Sequence, residues 1–270
     1  MPATIAPPRR ARIRLREWTV GLVILSAVVV AAVWMSSMRS QPSREAIALN
    51  NQGHDSLNSG RLQVARRHFQ SALARSPRFA EAKLNLATVL HREGDDDAAA
   101  GLYGEVLREQ PKRRELIAAA HYGLGEIDLQ ADAWPSAVAH LSAATLGDSA
   151  RVEYPNNLAF ALIRAGRTDE ALATLRTAQQ RFPGEPSLLK NAALAWFERA
   201  RPDSALSAAN AAVRLRPDFV AAWVLKTRSE AALGDLAAAR ASLATVERLG
   251  ADESSVREAQ DAVREAATPR

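Results

Sequence analysis

Residues 157–183 read NLAFALIRAGRTDEALATLRTAQQRFP, and the reading of this stretch decides the fold. Apolar residues recur at helical spacing on both sides of Gly166, as Leu158 and Leu162 and then Leu172 and Leu175. That pattern predicts two short amphipathic helices with a glycine turn between them. Pro183 then stops the second helix. The same punctuation recurs along the chain. Pro77 to Pro111 is 34 residues and Pro183 to Pro217 is 34 again. A small residue keeps the phase throughout, at Ala65, Ala99, Ala137, Ala171, Ala205 and Ala239, with steps of 34, 38, 34, 34 and 34. A fixed period of this length predicts stacked helical hairpins, because one hairpin alone cannot bury its apolar face.

Six units of this kind are expected, at 46–79, 80–113, 118–151, 152–185, 186–219 and 220–253. The fourth carries Leu158, Ala159, Leu162, Gly166, Ala171, Leu175, Ala178 and Pro183. The fifth supplies Leu189, Ala193, Trp196, Ala205, Ala212 and Pro217, and the sixth Trp223, Gly234, Ala239 and Leu243. The third departs most, lacking both the turn glycine and the closing proline, and four extra residues (Arg114 to Ile117) precede it. That insertion is expected to lengthen a helix or a loop. The pattern resembles the tetratricopeptide repeat (TPR) family, whose unit wants small residues at positions 8, 20 and 27. Larger ones are wanted at 4, 7, 11 and 24. The resemblance implies an all-α solenoid of about six hairpins. Residues 254–267 read as a capping helix, with Ser255 and Glu258 as a capping box and a thin stripe of Val256, Ala259 and Val263.

The first 45 residues differ in kind. Residues 1–17 are rich in proline and arginine, and residues 18–38 hold 21 residues without a charge. At 1.5 Å per helical residue they span about 30 Å, the thickness of a bilayer core. Trp18 and Trp34 lie near the ends of the run, where amphipathic rings favour the interface. Five arginines precede it, so the expected topology is a single span with the N-terminus in the cytoplasm and the repeats outside. A cleavable signal peptide is the alternative, and a mature N-terminus near residue 33 would mark it. Residues 39–45 are expected to be a linker, broken by Pro42. The 31 arginines against four lysines, with abundant alanine, suggest a GC-rich bacterial genome and hence a periplasmic array.

Charge and chemistry narrow the function. The net charge of +5 resides almost wholly in the first 17 residues, which carry +4, so a nucleic-acid face is not expected. The chain has no cysteine, hence no disulfide and no thiolate metal site. His54, His68, His91, His121 and His140 show no ligand spacing, and Asp95-Asp96-Asp97 lacks the glycine and glutamate of a calcium loop. Asp95 reads instead as a helix N-cap. His54 and His91 are placed on the groove side, and His68 and His140 on second helices. No phosphate loop, dinucleotide fingerprint, nucleophile elbow or His-carboxylate pair is legible, so no catalytic residue, cofactor or metal is expected.

The resemblance implies a concave groove lined by the first helices, in which TPR proteins hold extended peptides. Position 6 of the unit is Asn51, Asn85, Asn157 and Asn191, interrupted by Gly123 and Leu225. An amide offers one acceptor and two donors, enough to hold a peptide backbone without reading its side chains. Tyr122, Phe160, Lys190 and Arg228 join these asparagines as candidate groove residues. The family's clamp for chaperone C-termini is incomplete here. The expected function is a membrane-tethered scaffold that binds a protein or extended peptide, for envelope complex assembly or chaperoning. The alternatives are an accessory subunit of an envelope enzyme system (polysaccharide assembly or cytochrome maturation), a secreted repeat protein, or self-association.

Overall fold

The computed structural model describes residues 41–110 and 112–268. The basic arm, the 18–38 span, the first residues of the linker, Pro111 and Pro269-Arg270 lie outside the described residues. Among the described residues there are thirteen helices and no strand, and no helix is long and apolar enough to cross a membrane.

The helices form pairs. The first is α1 (Arg44–Asn58) with α2 (Leu62–Arg75), and after it α3 (Ala80–Arg92) is followed in sequence by α4 (Asp96–Glu109). Next come α5 (Arg114–Gln130) with α6 (Trp134–Gly147), and α7 (Glu153–Arg164) with α8 (Thr168–Arg181). The last pairs are α9 (Pro186–Glu198) with α10 (Pro202–Leu215), and α11 (Val220–Ala232) with α12 (Leu236–Arg248). A single helix, α13 (Glu253–Ala267), follows them. Helix α1 starts two residues before the expected first unit, because Ser43 caps it by accepting from the Ala46 amide at 3.1 Å. The insertion lengthens a helix rather than a loop, making α5 the longest described helix at 17 residues.

The described residues fall into two compact units, one ending at Val89 and the other beginning at Leu90. In the first, α1 packs on α2, and Ala46, Ala72, Phe79 and Ala82 form a small core. In the second, a continuous core runs through three hairpins, from Ala137 and Leu141 through Leu158, Leu162 and Leu175 to Leu188 and Ala195. First helices stack on first helices there: α7 meets α9, α9 meets α11, and α11 meets α13.

The small-residue phase explains the stacking. Ala65, Ala99, Ala137, Ala171, Ala205 and Ala239 all have no exposed surface. A methyl at this point lets two helix axes approach, and larger side chains fill the flanks. Phe69, Tyr103, Leu141 and Leu175 provide that fill four residues later. The turn between paired helices is also common to all six hairpins. Gly60, Gly94, Gly166 and Gly234 take φ of 71°, 85°, 74° and 82°, as expected of a helix end that needs the left-handed region. In the third and fifth hairpins the same position is Asp132 (φ 55°) and Ala200 (φ 54°). These turns keep the backbone geometry without glycine, against a left-handed cost of about 1–2 kcal/mol per residue.

One local expectation needs correction. Helix α13 is capped by Asp252, which accepts from the Ser255 amide at 2.8 Å, and not by a Ser255–Glu258 box. Glu258 is engaged elsewhere, in an ion pair with Arg228 of α11. By contrast Asp95 is the N-cap of α4, accepting from the Ala98 amide at 3.3 Å.

Candidate functional site

The first helices carry two rows of polar side chains, and the structure gives them different work. One is the row of amides. Asn85 Nδ2 donates to Asn50 Oδ1 at 3.0 Å. Asn157 Nδ2 donates to the Tyr122 hydroxyl at 3.0 Å, and Asn191 Nδ2 donates to both the carbonyl and Oδ1 of Asn156, at 3.0 and 2.9 Å. Every one of these bonds joins residues 35 apart in sequence. Position 6 of one hairpin thus reaches position 5 of the hairpin before it. Asn191 is fully buried, and its Oδ1 also receives Lys190 Nζ. It has nothing left to offer a ligand, so the expectation that Asn191 grips a peptide is corrected: its amide ties two repeats together. Asn51 is exposed and Asn85 and Asn157 are half-buried.

The amide row breaks at Gly123 for a steric reason. A Cβ there would lie 2.2 Å from the Tyr103 ring, so the tyrosine of the preceding hairpin takes the space an asparagine would need.

Tyr122 is the centre of a polar cluster. Its hydroxyl donates to Glu126 Oε1 at 2.9 Å while accepting from Asn157, and its ring stacks on Tyr154 with centroids 4.6 Å apart. Burial raises the Glu126 carboxyl above its ordinary value, opposed by the Tyr122 hydrogen bond. Burial likewise raises the Tyr122 phenol. Histidine–carboxylate pairs, which spacing along the sequence did not reveal, are present. His91 Nδ1 lies 2.6 Å from Asp96 Oδ1 and His140 Nδ1 lies 2.9 Å from Asp128 Oδ2. Asp96 is in the first turn of α4, so the His91 pair closes the α3–α4 turn. Among the described residues no group of three histidines or carboxylates could hold a metal ion.

The other row is cationic and aromatic. The Arg164 guanidinium lies 5.0 Å from the Trp134 ring centroid. Lys190 Nζ lies 5.8 Å from that of Phe160, and the Arg228 guanidinium 4.2 Å from that of Phe197. In each case the cation belongs to one hairpin and the ring to the hairpin before it. Two of the rings also meet, Trp134 lying edge-on to Phe160 at 6.3 Å. Among the described residues neither Arg164 nor Lys190 has a carboxylate partner, whereas Arg228 has Glu258. Burial pushes the Lys190 ammonium down to about 8. Of the expected groove residues, Tyr122, Asn157, Phe160, Lys190 and Arg228 therefore lie together in the second unit. Asn51 and Asn85 belong to the first unit. Trp134 and Arg164 complete the row, and Trp134 escaped a reading based on first helices because it opens a second helix.

The comparisons with known proteins agree with this architecture. The tetratricopeptide repeat matches at residues 50–114 and 156–218. None of the curated proteins matches the sequence. Among solved structures, PilW, described as a widely conserved type IV pilus biogenesis factor, superposes with a TM-score of 0.71 at 16% identity. That match covers 81% of this chain and 98% of PilW. A tetratricopeptide repeat protein from Parabacteroides merdae gives 0.61 at 19% identity, over 94% of this chain and 99% of that one. YrrB, described as a TPR protein with an unusual peptide-binding site, gives 0.52 at 21% identity over 66% of this chain and 89% of its own. Residues 50–114 and 156–218 are therefore tetratricopeptide repeats, and the chain carries the all-helical fold of tetratricopeptide-repeat proteins.

Proposed function

We propose that this protein is a scaffold that holds an extended, acidic segment of another protein on the first-helix face of hairpins four to six. The observation that carries the reading is the row of cations laid over aromatic rings, two of them without a carboxylate. A cation resting on a ring is held in place but only partly neutralised, so it still attracts an anion. Three such pairs at successive hairpins suit a chain that runs along the stack and places a carboxylate at each step. The largely desolvated Lys190 suits this role, because an arriving carboxylate restores the charge that burial disfavours. A peptide-binding site described for YrrB, which shares this fold, is in keeping with such a use.

The uncharged run at 18–38, flanked by arginines before and tryptophans at its ends, supports a single-pass anchor in a bacterial inner membrane. The repeats then sit in the periplasm, where the partner is an envelope protein under assembly. The pilus biogenesis factor that superposes on this chain suits that setting. Among the described residues no arrangement favours catalysis, and on this reading the scaffold works by binding.

The test is a peptide array probed with the full chain, carrying acidic, neutral and basic extended peptides with and without an aromatic residue. Selection of acidic peptides, lost in an Arg164→Gln/Lys190→Gln variant of unchanged helix content, is the expected result. Equal binding of acidic and basic peptides would reject the reading.

A further inference from the structure

Arg228 differs from the other two cations of the row in having a carboxylate already on it. Glu258 of α13 makes that ion pair, while the guanidinium rests 4.2 Å from the Phe197 centroid. The step along the chain is the one that builds the rest of the row. Arg164 stands 30 residues beyond Trp134, Lys190 stands 30 beyond Phe160, and Glu258 stands 30 beyond Arg228. Helix α13 packs on α11 as one first helix packs on the next, so Glu258 reaches back to the hairpin before it as Arg164 and Lys190 do. The corresponding positions beyond Arg164 and Lys190 are Leu194 and Val220, which carry no charge. The row is filled from within only at its last step.

The pair is open to exchange. Half of the Glu258 side chain is exposed, and an ion pair in contact with water is weakly held. Helix α13 is seated through small side chains, with Val263 packed against Ala231 and Ala239. Beside the guanidinium a hollow of about 400 Å³ opens between α11 and α13, lined by Arg228, Phe197, Ala231 and Ala262. Glu265 borders the same hollow, but among the described residues it makes no ion pair with Arg228. A second carboxylate has room to approach Arg228 as Glu258 swings away. We infer that Glu258 is a tethered occupant of the third carboxylate position, which an acidic ligand displaces in order to engage Arg228. This rests on the reading of the row as the ligand face. Two cations are open from the start, and the third is gained only by exchanging one carboxylate for another. A tethered competitor weakens the ligand in proportion to the share of molecules in which it holds the site.

The test is fluorescence anisotropy of a labelled oligoglutamate peptide titrated with the full chain in detergent. The samples are the unaltered protein, Glu258→Gln, Glu258→Gln/Arg228→Gln and Arg164→Gln/Lys190→Gln. The arginine-rich first 17 residues are common to all four and contribute equally to each. Circular dichroism verifies that helix content is unchanged. Glu258→Gln is expected to bind at least threefold more tightly than the unaltered protein, and the gain is expected to vanish when Arg228 is also replaced. Unchanged affinity in Glu258→Gln overturns the inference. So does a gain that persists without Arg228, because it then reports only the loss of a negative charge. Undiminished binding by Arg164→Gln/Lys190→Gln would remove the ligand-face reading and this inference with it. Weakened binding there, with no gain from Glu258→Gln, would sink this inference alone.

Discussion

His121 shows how much one side chain can conceal from the sequence. It occupies position 4 of the third unit, where Leu189 and Trp223 stand in the fifth and sixth. Its Nδ1 is the buried side-chain polar atom left without a hydrogen-bond partner among the described residues, and its ring centroid is 5.5 Å from that of His140. Burial first, and then the neighbouring His140, lower its affinity for a proton. The folded chain therefore keeps His121 neutral at a pH where the unfolded chain protonates it. Below the ordinary imidazole value of about 6.5 the unfolded state binds more protons, so stability is lost as the pH is lowered. Urea unfolding at pH 7.5 and 5.5 reads this directly. The unaltered protein is expected to lose more between the two than His121→Leu does, and an identical loss in both would show that His121 binds its proton equally well in the folded and the unfolded chain. The sequence displayed five histidines with no ligand spacing. It could not display burial, nor the Asp128–His140 pair 12 residues apart. Asp132 and Ala200 were hidden likewise, since nothing in their chemistry announces a left-handed turn and only the period of 34 predicts one there.

At the scale of the element, the period made the hairpins legible because it combines three independent signals: turn, small-residue contact and stop. The third unit had lost two of them, yet Ala137 alone held its phase and is fully buried. What the spacing could not decide was whether the four inserted residues make helix or loop, since Arg114 to Ile117 suit either. The cap of α13 was misread for a related reason. Asp252 and Ser255 are both good N-caps, three residues apart, and only the 2.8 Å bond to the Ser255 amide distinguishes them. The α4–α5 contact gives a prediction at this scale. Gly123 lies against the Tyr103 ring, so Gly123→Ala should overpack the contact and cost about 1–3 kcal/mol. Tyr103→Leu in the same chain should recover part of the loss. Denaturant midpoints of the two single variants and the double one form a cycle, and strict additivity would contradict a direct clash.

Across the molecule, the first helices divide their work between amides and cations. The asparagines were legible as a row, and the resemblance to a peptide-binding family gave the row a ligand. Distances of 2.9 to 3.0 Å between hairpins give much of it to the protein's own cohesion instead. The cations were legible only singly, as Arg164, Lys190 and Arg228, because the rings beneath them come from the neighbouring repeat and no spacing within one unit shows them. The central claim is that the cations hold the ligand while the amides hold the stack. Calorimetric titration of an acidic peptide selected from the array tests it most directly, using the full chain and its Arg164→Gln/Lys190→Gln variant. Affinity is predicted to fall at least tenfold with the thermal midpoint unchanged. Undiminished affinity in that variant would contradict the account.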